Sequence, residues 1–239
     1  MEEKRIEKKH YHIIKQVMFV KDYQKGALIL FLLLCCLIYK VEGYLKVTPF
    51  FDKIIFIDPG HGGLDPGAQY KNLYEKTINL EISKLLKIRL EELGAIVYLT
   101  REGDYDLAVP NAYLRKRSDL FQRAKMINKS DCDLYLSIHL NASQFTNWQG
   151  AQVFYEEVNE ENKKIATIIQ DSFKRHLGSK RKTKKIQNLY MYKRVEKPGV
   201  LLEIGFISNP HERYILRKKY YQERIVRSLI EALIVYFEL

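Results

Sequence analysis

The sequence predicts an α/β fold: a layered domain built on a mostly parallel sheet. Three observations carry that prediction. From about Lys53 onward, short apolar runs alternate with longer segments of helical periodicity. The first run, Ile54-Ile55-Phe56-Ile57, ends in the Gly-rich turn Asp58-Pro59-Gly60-His61-Gly62-Gly63, as a buried strand opening into a loop does. The stretch Tyr74 to Leu93 repeats Ile78, Ile82, Leu85, Leu86 and Leu93 at helical spacing, and Gly94 stops it before the next apolar run.

The later elements follow in the same alternation. Ala95 to Thr100 reads as a second strand and residues 111–128 as a helix. Asp133 to Ile138 is a third strand running into His139-Leu140-Asn141. Ala151 to Tyr155 reads as a fourth strand, Asn159 to Leu177 as a helix, and Leu189 to Tyr192 as a short strand. Val200-Leu201-Leu202-Glu203-Ile204 is another buried strand, and Tyr214 to Phe237 holds one or two helices with Ile225, Leu229, Leu233 and Phe237 on a stripe.

At 239 residues and 46% apolar composition, the chain has material for one good core, and a second domain would be cramped. The formal net charge of +11 lies mostly beyond residue 45. It suits an anionic partner such as cell wall or membrane. No nucleic-acid-binding signature accompanies it, and no nucleic acid is expected as a partner. The segment Lys174 to Lys185 is the densest basic run and reads either as a solvated loop or as a contact for anionic polymer, membrane or protein. Three cysteines make no disulfide framework, and Cys132 reads as a stray buried thiol.

The N-terminus is informative. Seven lysines and arginines from Lys4 to Lys25 precede the apolar run Ala27 to Tyr39, and Lys40 closes it. The run is short for a spanning helix and has the length of a signal-peptide core, yet no small-residue cleavage site follows. Leu32-Leu33-Leu34-Cys35 lacks the small residue that a lipoprotein signal places before its cysteine. The expected organisation is a basic cytoplasmic tail over 1–25, an uncleaved signal anchor over 26–40, a linker over 41–52, and a catalytic domain over 53–239 exported beyond the membrane.

Four side chains are candidates for chemistry. His61 and His139 each follow a buried strand, Glu75 opens the first helix, and Glu203 lies in or at the end of a strand. Taken alone, His61 is one more polar loop residue and Glu75 a carboxylate favoured by a helix N-terminus. Together, two imidazoles and a carboxylate with an open fourth position form a catalytic zinc set. A further glutamate can then move the proton of the attacking water. Glu203 is the strongest single hint, because a glutamate within Val-Leu-Leu-Glu-Ile-Gly-Phe is costly to bury unless paired, near a metal, or protonated.

Asp58-Pro-Gly-His-Gly-Gly, Glu75, Ser137-Ile-His-Leu-Asn-Ala142 and Leu202-Glu-Ile-Gly-Phe-Ile-Ser-Asn-Pro210 with Glu212 together resemble the zinc-dependent N-acetylmuramoyl-L-alanine amidases over nearly all of residues 53–237. The resemblance implies a single domain with a twisted six-stranded sheet flanked by helices. It implies one zinc per chain on His61, Glu75 and His139, with Glu203 as the catalytic acid and base. Asn141, two residues after the last of these ligands, is expected to orient the site, or else to cap the turn beneath it. Arg101 and Arg123 match basic positions that meet peptide carboxylates or form ordinary ion pairs.

The implied reaction is hydrolysis of the amide between the muramic acid lactyl group and L-alanine in peptidoglycan. The interval from His139 to Glu203 is too short for the autoinhibitory insertion of some relatives. A bare catalytic domain behind a signal anchor looks most like the germination-specific, CwlD-type amidases of spore-forming bacteria. That likeness implies peptide removal from spore cortex on the way to muramic-δ-lactam, in the intermembrane or cortex space of the developing spore. The expected partners are peptidoglycan, the membrane through the N-terminal segment, and an activating protein. The rival readings are a zinc peptidase or deacetylase acting on the wall, a wall-binding protein controlled by a partner with little activity of its own, and a membrane-anchored scaffold using its basic face.

Overall fold

A computed structural model describes residues 23–36 and 48–239. The chain divides into two units, residues 1–47 and 48–239. In the first, residues 23–36 form helix α1, exposed along its described length. Among the described residues no helix is long and apolar enough to cross a membrane. The expected basic tail over residues 1–22, the end of the expected anchor at 37–40 and most of the expected linker lie outside the described residues.

The second unit starts at Thr48, ahead of the boundary expected at Lys53. The cause is Phe50, which is fully buried against Phe237 with ring centroids 6.4 Å apart. Its backbone N–H also donates to Leu93 O at 3.0 Å, which ties the entering chain to the end of the first helix of the domain. Gly94, with φ +95°, makes that turn, and a Cβ there would sit 2.6 Å from Thr48 Cβ.

The elements run β1 (Ile54–Pro59), β2 (Gln69–Tyr70), β3 (Leu73–Tyr74), α2 (Glu75–Glu92), β4 (Ile96–Leu99), α3 (Arg115–Lys129), β5 (Leu134–Asn141), β6 (Gln152–Tyr155), α4 (Glu161–Leu177), β7 (Lys184–Lys185), a 3-10 turn (Tyr192–Arg194), β8 (Gly199–Phe206), α5 (Pro210–Ile215) and α6 (Lys219–Phe237). β2 and β3 make a small hairpin, and the others form one six-stranded sheet in the order β4-β1-β5-β8-β6-β7. Within that six-stranded sheet every pairing is parallel except β6 with β8. This is the α/β architecture that the sequence predicts.

Alternation along the three central strands builds two cores. Ile55 and Ile57, Leu134, Leu136 and Ile138, and Val200, Leu202 and Ile204 face the larger core, beneath α2, α4 and α6. Phe56, Tyr135 and Leu201 face the smaller one, with Ala124 and Ile127 of α3 and with Met191, Tyr192 and Val195. Period-two alternation therefore puts Asp58, Ser137, His139 and Glu203 on the α3 side as well.

Two local expectations are corrected. Leu189 to Tyr192 is not a strand: Met191 and Tyr192 are consecutive and both buried, which a half-buried pleat does not permit, and a 3-10 turn follows. The short strand lies instead at Lys184–Lys185, inside the basic run, where it pairs with β6 at the sheet edge.

Candidate active site

The site forms where β1, β5 and β8 end, the edge at which parallel sheets gather functional groups. β1 and β5 are paired in register through Asp58↔Ser137, and β5 and β8 through His139↔Glu203. Beyond β1 the backbone turns sharply. Gly60 lies so close to the His139 ring that a Cβ would stand 2.2 Å from it. The next residue, His61, takes the left-handed φ of 63°.

Two buried arginines hold that strained turn. Arg101 donates from Nε to Pro59 O at 3.0 Å and from Nη2 to Gly60 O at 2.9 Å. Arg123 donates from Nη1 to Pro59 O at 2.9 Å and from Nη2 to His61 O at 2.6 Å. Arg123 also pairs with Asp58 at 2.7 Å and with Asp119 at 2.9 Å. Both arginines are 1% exposed. The expectation that they meet substrate carboxylates is therefore corrected, because their donors are already engaged on the chain's own carbonyls and acids.

The turn delivers His61 to Glu75 and His139. Glu75 Oε1 lies 3.1 Å from His61 Nε2 and 3.0 Å from His139 Nδ1. The three ligand atoms fall within 4.8 Å of one another, a group able to hold one metal ion. The other Glu75 oxygen accepts from Ala68 N at 2.8 Å, which fixes the carboxylate. The outer ring nitrogens are held too: His61 Nδ1 lies 2.9 Å from Asp65 Oδ2, and His139 Nε2 lies 3.4 Å from Tyr192 OH. Neither Asp65 nor Tyr192 is singled out by the sequence. Asp65 stands one helical turn's spacing past His61, which is a readable signal, whereas Tyr192 carries none.

The electrostatics match a cation site. Burial works to raise the Glu75 pKa, but His139 and His61 outweigh it and hold the carboxyl well below the usual range. For His61, burial favours the neutral ring, yet Asp65 and Glu75 raise its pKa to about 9. Glu203 differs: burial raises its pKa to about 7, with His139 opposing and the Glu75 charge reinforcing. Its Oε2 is buried with no hydrogen-bond partner. An orphaned carboxylate oxygen beside three converging ligand atoms fits a hydrated metal ion.

The remaining expected residues have local roles. Asn141 Oδ1 accepts from Ala142 N at 2.8 Å, the turn-capping alternative. Asn209 caps α5, its side chain accepting from His211 N and Glu212 N. Glu212 ties the end of β8 to the loop before β6, accepting from Phe206 N at 2.7 Å and Gly150 N at 2.9 Å. A cleft of about 150 Å³ opens beside His61 and His139, lined by Lys116, Leu120, Leu189 and Tyr190 among others.

Comparison with known proteins agrees with this geometry. Residues 55–235 match a family described as N-acetylmuramoyl-L-alanine amidase. The germination-specific N-acetylmuramoyl-L-alanine amidase of Bacillus subtilis is 45% identical over 193 residues, 79% of this chain and 81% of that protein. Among solved structures, the CwlD amidase from Clostridioides difficile in complex with the GerS lipoprotein matches with a TM-score of 0.74 at 34% identity, covering 78% of this chain and 99% of that one. An N-acetylmuramoyl-L-alanine amidase from Clostridium difficile 630 matches with a TM-score of 0.70 at 27% identity, covering 78% and 97%.

Proposed function

Because the chain belongs to the N-acetylmuramoyl-L-alanine amidase family, we propose that it is a zinc-dependent enzyme of the spore cortex, with one zinc on His61, Glu75 and His139 and with Glu203 as acid and base. The chain is an N-acetylmuramoyl-L-alanine amidase acting on peptidoglycan. The observation that carries the zinc assignment is the convergence of His61 Nε2, Glu75 Oε1 and His139 Nδ1 beside the unpartnered Oε2 of Glu203.

Zinc held there supplies Lewis acidity toward water and the scissile carbonyl. Glu203 accepts a proton from the attacking water and delivers it to the alanine nitrogen as the C–N bond breaks. The products are a lactyl carboxylate on the glycan and a peptide with a free L-alanine amine. A pKa near 7 suits a group that must take and then give a proton. Asp65 and Tyr192 orient the imidazoles, and Arg101 and Arg123 keep His61 at the strand end.

The germination-specific name of the Bacillus subtilis relative supports a role in cortex peptide removal, and with it export to the intermembrane or cortex space. The N-terminal basic and apolar pattern supports attachment to the membrane. The lipoprotein complex of the Clostridioides difficile neighbour supports a protein partner here.

Mass spectrometry of muropeptides tests the reaction. With zinc, the protein is expected to release stem peptides that begin with L-alanine, and chelator is expected to stop the release. Cleavage at another bond, or release that chelator leaves unchanged, would refute the reading. Adding extract from sporulating cells tests the partner: release that rises with the extract supports one.

A further inference from the structure

We infer that Tyr192 is a positioning residue that fixes which nitrogen of His139 carries its proton, leaving the Nδ1 lone pair facing the metal ligands. The inference rests on the metal reading above and on a buried chain of hydrogen bonds behind the site. It begins at Asp58, which is 1% exposed. Asp58 Oδ1 pairs with Arg123 at 2.7 Å and accepts from Thr100 Oγ1 at 2.6 Å. Burial opposes the charge, but Arg123 and the two hydroxyls outweigh it and hold the Asp58 pKa low. Asp58 is thus an ionised carboxylate, which only accepts.

The direction of every later bond follows from donor counting. Ser137 Oγ lies 2.7 Å from Asp58 Oδ2 and must donate its single hydrogen there. In the 3.0 Å contact between Ser137 Oγ and Tyr192 OH, Ser137 is therefore the acceptor and the phenol donates its single hydrogen. The phenol oxygen, 3.4 Å from His139 Nε2, has only acceptance left to offer. The neutral His139 ring accordingly carries its hydrogen on Nε2. Its Nδ1 keeps the lone pair, 3.0 Å from Glu75 Oε1. Two acceptors that close require a cation or a proton between them.

The same result is reached on His61 in one step. Asp65 Oδ2, 2.9 Å from Nδ1, accepts the hydrogen there and leaves Nε2 as the ligand nitrogen. The two histidines thus present opposite ring nitrogens to a common position, each set by the acceptor behind it. For His61 that acceptor is a carboxylate close in sequence. For His139 it is a phenol held by Ser137 and Asp58 through the sheet.

The test uses the full chain and two readouts. A proton–nitrogen correlation spectrum of the zinc-loaded protein reads directly which nitrogen of His139 keeps its hydrogen. The Nε2–H form is expected, and the Nδ1–H form would overturn the inference. Tyr192→Phe keeps the ring in its core and removes the hydroxyl, both the acceptor for His139 and the donor to Ser137. Its zinc affinity, read by competition with a chromogenic chelator, is expected to fall roughly 10- to 100-fold. Ser137→Ala keeps the phenol but frees its hydrogen to turn toward His139, and a fall in the same direction is expected. Affinity within twofold of the unmodified chain in a folded Tyr192→Phe protein would overturn the inference. If the unmodified chain binds no zinc, the metal reading fails by itself, and exchange of the Nε2 hydrogen with water no faster in folded Tyr192→Phe than in the unmodified protein would overturn the inference independently.

Discussion

Glu203 shows how much one position can carry. It lies mid-strand opposite His139, with one oxygen buried and unpartnered and with burial raising its pKa to about 7. In the proposed role of base it must be ionised, so kcat/KM is expected to rise with pH up to about 7 and then level. Glu203→Gln removes the proposed proton carrier without touching His61, Glu75 or His139. Its kcat is expected to drop about 10²- to 10⁴-fold with zinc affinity retained, and single-turnover kinetics beside a zinc titration check both. The residue is legible in the sequence because a charge inside Val-Leu-Leu-Glu-Ile-Gly-Phe is anomalous on physical grounds alone. His61, Glu75 and His139 are less so. Each has an ordinary reading when taken singly, and only their joint pattern singles them out. Tyr192 was illegible for a clear reason: its role depends on a contact across 53 positions of sequence with no motif around it.

At the scale of elements, the turn after β1 is the part on which the site depends. Three successive carbonyls, those of Pro59, Gly60 and His61, point at Arg101 and Arg123 rather than at water. Arginine reads from sequence as a surface cation, and nothing short of the fold reveals that these two are interior braces. Their burial gives a prediction opposite to that of a substrate contact. Arg123→Met leaves Asp58 and Asp119 buried without their partner, and the domain is expected to lose about 3–5 kcal/mol of stability. Denaturant unfolding measures it; a change confined to KM would instead return Arg123 to substrate binding. The misread strand at Leu189 to Tyr192 has a related cause. Met191 and Tyr192 are buried by the α3-side core while Leu189 is exposed, and a short apolar run does not reveal whether it pairs or merely plugs.

For the whole molecule, alternation of apolar runs with helical stripes made the layered sheet readable, while the antiparallel placement of β6 and the edge position of β7 were not. Those depend on which edge a returning chain reaches, and no local pattern encodes it. Protonation and metal binding are linked through the same site. The metal-free fold holds His61 protonated with a pKa of about 9, above its unfolded value. That contribution is complete below the unfolded value of 6.5 and is lost as pH rises through about 9. Glu203, also raised, loses its contribution between 4.5 and about 7. The low carboxyls of Asp58, Asp65 and Glu75 act in the opposite direction and stabilise the fold except in acid. Zinc held in the proposed site would take the place of the proton on His61 and so would restore what alkaline pH removes.

Thermal unfolding with and without zinc across this pH range tests the account most directly. The metal-free protein is expected to lose several degrees of Tm between neutral and alkaline pH, and zinc to raise Tm most at the alkaline end. Glu203→Gln should keep the zinc-induced rise, and Glu75→Ala should lose it. An equal rise in folded Glu75→Ala protein, or none in the unmodified chain, would contradict a zinc centre on His61, Glu75 and His139.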